Sequence, residues 1–198
     1  EGTIIRTPYK PNLANRIMLK YGDTKYSLLR RGITAFYEFS QFCDKAVNTK
    51  LTYPLFRYLL DSNPKFLQPN ILSVLQYIRR HKNKNCKVVM FTNNQGHPIW
   101  IQFIKLYLHE KLNYELFDKV VYAKKYEPKR KEESKCLNDF WSCTQYPPNS
   151  KVLFFDDQKH PYMLAPNVTY INVPAYMTKT HRDISHHLLE FIADFLGI

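Results

Sequence analysis

No apolar run in this 198-residue chain approaches the length of a membrane span, and no signal-peptide pattern opens it. Its four cysteines, Cys43, Cys86, Cys136 and Cys143, form no CxxC pair and no dense spacing. That excludes a cystine scaffold and predicts free thiols in a reducing compartment. The seven histidines are scattered. His186 and His187 are neighbours, which on a helix point in different directions and make a poor zinc pair. Acidic side chains are the minority, 17 against 29 Lys and Arg, for a formal charge of +12. The excess points either to an acidic partner surface (nucleic acid, anionic lipid or an acidic protein) or to a basic surface that is simply solvated. It is concentrated in RRHKNKNCK (79–87) and KKYEPKRKEESK (124–135), both expected to be loops. No RNA-recognition signature, zinc finger or basic zipper accompanies them. The chain starts at Glu1 rather than Met, which leaves room for a cleaved leader.

What is present is enough for a core. With 44% apolar and 15% aromatic residues, the chain should fold as one domain. Residues 1–25 carry two prolines and no clear period, the pattern of an extended N-terminal arm; residues 26–198 are the expected domain. A short helix is expected after Pro54, and Pro69 opens NILSVLQYIRR at helical spacing. CKVVMFTNN (86–94) has the compact apolar run of a buried strand. IWIQFIKLYLHEKL (99–112) is a helix apolar around much of its circumference, its aromatics suiting a core better than a stacking platform. DKVVYA (118–123), KVLFF (151–155) and VTYINV (168–173) read as strands, and CLNDFWSCT as a helix. In the last helix, Ile184, Leu188, Phe191, Ile192 and Phe195 should line one face. Strands alternating with helices predict a Rossmann-like α/β fold, a mostly parallel sheet flanked by helices, with ligands at the strands' carboxyl ends. Thr92 and the adjacent Asp156 and Asp157 fall at such ends.

Two carboxylates at a strand end need a cation or another ionic partner. Taken singly, Thr92 reads as a turn residue and Lys135, among other lysines, as a solvated charge. Taken in order, FTNN (91–94), ESKCLNDF (133–140) and LFFDDQ (153–158) resemble the haloacid dehalogenase superfamily. The closer resemblance is to its RNA polymerase II C-terminal-domain phosphatase and NLI-interacting-factor-like branch, including versions carried by large nucleocytoplasmic DNA viruses. It covers roughly residues 26–196.

The resemblance implies a nucleophilic aspartate, a second aspartate two positions later as acid and base, and a hydroxyl, here Thr92, on a phosphoryl oxygen. It also implies a lysine, here Lys135, neutralising charge, and Mg²⁺ held in part by carboxylates matching Asp156 and Asp157. The first motif departs. One register places Leu28 at the nucleophile, Arg30 at the acid/base and Gly32 at the hydroxyl; another places Arg30 and Gly32 at the two aspartates. The nine aspartates (23, 44, 61, 118, 139, 156, 157, 183 and 194) contain no DxD anywhere.

The expectation is therefore a phosphatase-like domain without activity or cofactor, kept as a structural or binding component among other proteins of a large assembly. A minor capsid protein of a virion is favoured over a cytoplasmic or nuclear location. The basic loops 79–87 and 124–135 are the candidate contacts to an acidic surface or nucleic acid. Arg30 or Arg31 is expected to pair with Asp156 or Asp157 in place of metal. An active Mg²⁺-dependent phosphatase using Asp44, or a nucleic-acid- or ribosome-associated protein, are the alternatives.

Overall fold

The computed structural model describes residues 52–176 and 183–198. Residues 52–59 belong to a unit that begins earlier in the chain; the described residues from Leu60 onward belong to another. The boundary expected near residue 25 lies outside the described residues.

Among the described residues, five α-helices and four strands follow in the order α1 (Tyr53–Ser62), α2 (Ile71–His81), β1 (Val89–Phe91), α3 (Ile99–Leu112), β2 (Lys119–Val121), α4 (Leu137–Thr144), β3 (Val152–Asp156), β4 (Val168–Asn172) and α5 (Ser185–Leu196), helix and strand alternating from α2 to β3. The chain is thus mixed α/β. β1 pairs with β2 in parallel, Val89 to Lys119 through Phe91 to Val121. β3 pairs with β4 in parallel, Val152 to Val168 through Asp156 to Asn172. Parallel neighbours require a crossover between them, and α3 supplies one from β1 to β2.

α3 behaves as its composition dictates. Ile101, Phe103, Ile104, Tyr107, Leu108 and Leu112 are buried, so its aromatics Phe103 and Tyr107 are core. α2 packs on both α3 and α5. It presents Ile71, Val74 and Leu75 to the interior. It also runs through His81, closed by the Lys82 N–H on the Ile78 carbonyl at 2.8 Å. Residues 79–81 are therefore the last helical turn rather than loop. Ile184, just before α5, and Leu188 and Ile192 within it are buried, but Phe191 is 38% exposed, at the edge of the stripe it was expected to join.

Glycine is scarce, five in the chain, and the helix ends register it. α3 and α4 stop at Asn113 (φ 48°) and Gln145 (φ 63°), and only α5 stops at a glycine, Gly197 (φ 75°). All three are left-handed, the conformation that frees a C-terminal amide to bond back onto the last turn. For Gln145 it carries a Cβ penalty of about 1 kcal/mol.

Candidate functional site

β1 and β3 both deliver polar residues at their carboxyl ends. β3 ends in Asp156, 5% exposed. A carboxylate so buried needs charged or hydrogen-bonding partners to remain ionised. Lys135, immediately before α4 and itself buried, places Nζ 2.5 Å from Asp156 Oδ2. His160, buried in the turn that follows β3, places Nε2 3.3 Å from Oδ1. The Gln158 N–H donates to the same Oδ1 at 2.8 Å. Burial alone would raise the Asp156 pKa; Lys135, the Gln158 amide and His160 overcome it and hold the carboxyl below the ordinary range. Burial pulls Lys135 down, opposed by the carboxylates of Asp156 and Asp157. Burial likewise lowers His160, against the pull of Asp156.

Lys135 is thus not the solvated charge its neighbours suggest. Its ammonium lies 5.6 Å from the Phe91 ring centroid and 5.7 Å from that of Phe154. One ring belongs to β1 and the other to β3, so one cation bridges the two strand pairs and gains from both π faces. The turn after β3 is fastened to β4. Tyr170 donates its hydroxyl proton to the Gln158 carbonyl and accepts the His160 N–H at 3.2 Å. Asn172 Nδ2 donates to the Asp156 carbonyl at 3.0 Å.

Thr92 is buried at the end of β1. Its Oγ1 accepts the Asn94 N–H at 3.0 Å and its own N–H donates to the Val121 carbonyl at 3.0 Å. That is the behaviour of a turn-forming hydroxyl. Asp157 is half-buried and makes no ion pair among the described residues. Leu28, Arg30, Arg31, Gly32 and Asp44 lie outside the described residues, and the expected pairing of Arg30 or Arg31 falls there with them.

The basic segment 124–135 divides sharply. Lys124, Lys125, Lys129 and Lys131 are exposed, whereas Arg130 and Lys135 turn inward. Arg130 Nη1 donates to the carbonyls of Thr92 (3.1 Å) and Tyr122 (3.0 Å). Its Nη2 donates to those of Glu132 (3.3 Å), Glu133 (3.0 Å) and Ser134 (3.0 Å). Its Nε lies 3.8 Å from the buried carboxylate of Asp139 in α4, which accepts the Lys131 and Glu132 N–H groups at 2.9 Å each. This segment is folded around a buried cation–anion pair and ties the ends of β1 and β2 to the start of α4.

Sequence reasoning missed His160, Arg130 and Asp139. Asp139 carries a signal, an acid in the first turn of a helix. Arg130 carries none, because its hydrogen-bond partners are backbone carbonyls, which no residue type announces, whether near in sequence (Glu132, Glu133, Ser134) or far from it (Thr92).

Mg²⁺ demands an octahedral set of oxygen ligands. Both oxygens of Asp156 already face a cation, an imidazole or an amide. No group of three or more His, Cys, Asp or Glu suited to a metal occurs among the described residues. Taken by themselves, the described donors do not make up such a set. What this arrangement can do is hold a buried carboxylate ionised and lock a turn. No protein-family model, curated protein or solved structure matches the chain.

Proposed function

We propose that the chain is a haloacid-dehalogenase-like domain of Rossmann type that has lost phosphoryl transfer and serves as a structural or binding component of a larger assembly, a virion with this chain as minor capsid protein being the favoured setting. Support for the fold comes from order. Thr92, Lys135 and Asp156 follow one another along the chain as the hydroxyl, lysine and carboxylate motifs do in that superfamily. The first and last stand at the carboxyl ends of parallel-paired strands. The viral setting rests on the sequence resemblance alone.

The observation that carries the loss of activity is the state of Asp156. Its carboxylate is neutralised by a buried lysine at 2.5 Å, and the chain contains no DxD from which an attacking aspartate and its acid/base partner could come. Without a nucleophile, a phosphoryl group has no acceptor on the protein. The test is turnover of p-nitrophenyl phosphate by the full chain with Mg²⁺. The expected result is a rate indistinguishable from that of Asp156→Asn. Robust turnover abolished by Asp156→Asn overturns the reading.

A further inference from the structure

The two basic segments differ in what they show to solvent, and the difference selects one as an interaction surface. In 124–135 two of six cations are buried, and the exposed lysines are followed by the exposed carboxylates of Glu132 and Glu133, the latter 3.9 Å from Lys124. In 79–87 no acidic residue interrupts Arg79, Arg80, Lys82, Lys84 and Lys87, and all but Lys82 are exposed. Asp118 offsets part of this charge, 3.9 Å from Lys82 and 3.7 Å from Lys87. Arg80 and Lys84 make no ion pair among the described residues. The negative end of the α2 dipole accounts for Arg79, Arg80 and His81 on local grounds; it does not account for Lys84 and Lys87 beyond the helix.

We propose that this face, residues 76–87 with Tyr114, binds single-stranded nucleic acid. Cations that follow a backbone and flat groups on which bases stack are the two requirements of such a site. Both are here. The Tyr114 ring, 40% exposed, stands beside Arg79, whose guanidinium lies 4.9 Å from the ring centroid and is held there by donating to the Leu112 carbonyl at 2.6 Å. A recess of about 290 Å³ lined by Gln76, Arg79 and Arg80 opens on the same face. It joins an amide, which can donate and accept, to two guanidinium groups, the chemistry that meets base edges and phosphates. Residues 79–87 contain no Leu, Ile, Val, Phe or Trp, so nothing in them would enter the apolar part of a bilayer. None of these residues belongs to the Asp156 cluster, and the proposal does not rest on that cluster being inactive.

The experiment is fluorescence anisotropy of the full chain with labelled poly(dT) and poly(U) 20-mers. If Arg80, Lys84 and Lys87 each meet a phosphate, the single-strand slope of about −0.7 per contact predicts roughly twenty-fold weaker binding between about 50 and 200 mM salt. Arg80→Glu/Lys84→Glu should weaken binding at least about ten-fold and cut the slope to roughly a third, two of three contacts being removed. Lys125→Glu/Lys129→Glu changes net charge equally and should leave affinity within about three-fold, circular dichroism confirming that both variants fold. Equal losses in the two variants, a salt-independent affinity, or tighter binding to polyglutamate or to phosphatidylserine vesicles at the same salt would overturn the proposal.

Discussion

Replacing Lys135 with methionine isolates the worth of the buried ion pair. Methionine keeps most of the lysine volume and its contact with Phe91 and Phe154, but leaves Asp156 without its nearest cation. Removing one partner of a buried pair costs about 3–5 kcal/mol, because the remaining charge stays desolvated. His160 at 3.3 Å and the Gln158 amide at 2.8 Å still face the carboxylate, so the loss should fall near the lower end, about 3 kcal/mol. For a chain of this size that corresponds to a melting temperature lower by roughly 6–12 °C. Two controls separate charge from packing. Lys135→Met/Asp156→Leu removes both charges and should recover to within about 1 kcal/mol of the parent. Acidification should also narrow the gap. In the parent, the Asp156 pKa lies below its unfolded value, so its contribution is present at neutral pH and is lost only as pH falls below about 4. Without Lys135, burial pushes that carboxyl up. The variant then takes a proton more readily folded than unfolded and gains stability as pH falls from 7 toward 5. Urea denaturation at pH 7 and pH 5 reads all of this. A loss under about 1 kcal/mol at pH 7, or a gap that does not change with pH, would refute the account of the pair.

Arg130→Met leaves five carbonyls without their shared donor and Asp139 without the cation 3.8 Å away, and should cost at least about 3 kcal/mol; limited proteolysis should then cut between residues 123 and 134, and an uncut, fully stable variant would contradict the role given to Arg130. His160, its pKa lowered by burial, is protonated more readily unfolded than folded. Stability should therefore decline as pH falls below about 6.5, and the decline should flatten in His160→Gln; melts from pH 8 to pH 5 measure it, and an unchanged slope in the variant would count against it. Gln145→Gly relieves a left-handed residue at the end of α4 and should stabilise by about 0.5–1 kcal/mol in denaturant melts, whereas destabilisation would mean that the Gln145 amide bond to the Ser142 carbonyl outweighs the backbone strain.

Local pattern carried much of the architecture. α3 spans 99–112, where its apolar spacing places it, because a helix covered on several sides leaves an unmistakable run. β1, β2 and β4 came out shorter than the runs expected for them, whereas β3 keeps its five residues one position later; β1 ends at Phe91, where the Thr92 hydroxyl accepts the Asn94 N–H. Inward-facing charge was the hard part. Lys135 and Lys131 stand in one basic stretch, and nothing local tells which enters the core; that depends on a carboxylate 21 residues away. His160 was legible only in retrospect, four residues after Asp156 in a turn fixed by the Tyr170 hydroxyl on the neighbouring strand.

The position of Lys135 between Phe91 and Phe154 also bears on how the protein opens. Among the described residues, the β1–β2 and β3–β4 pairs share no strand hydrogen bonds, so backbone pairing does not oblige them to exchange their amides together. One side chain, anchored on Asp156 and held between both rings, joins them. If that lysine is the coupling element, the amides of both pairs should exchange as a single cooperative unit with it in place, and separate into two units of different protection once it is gone.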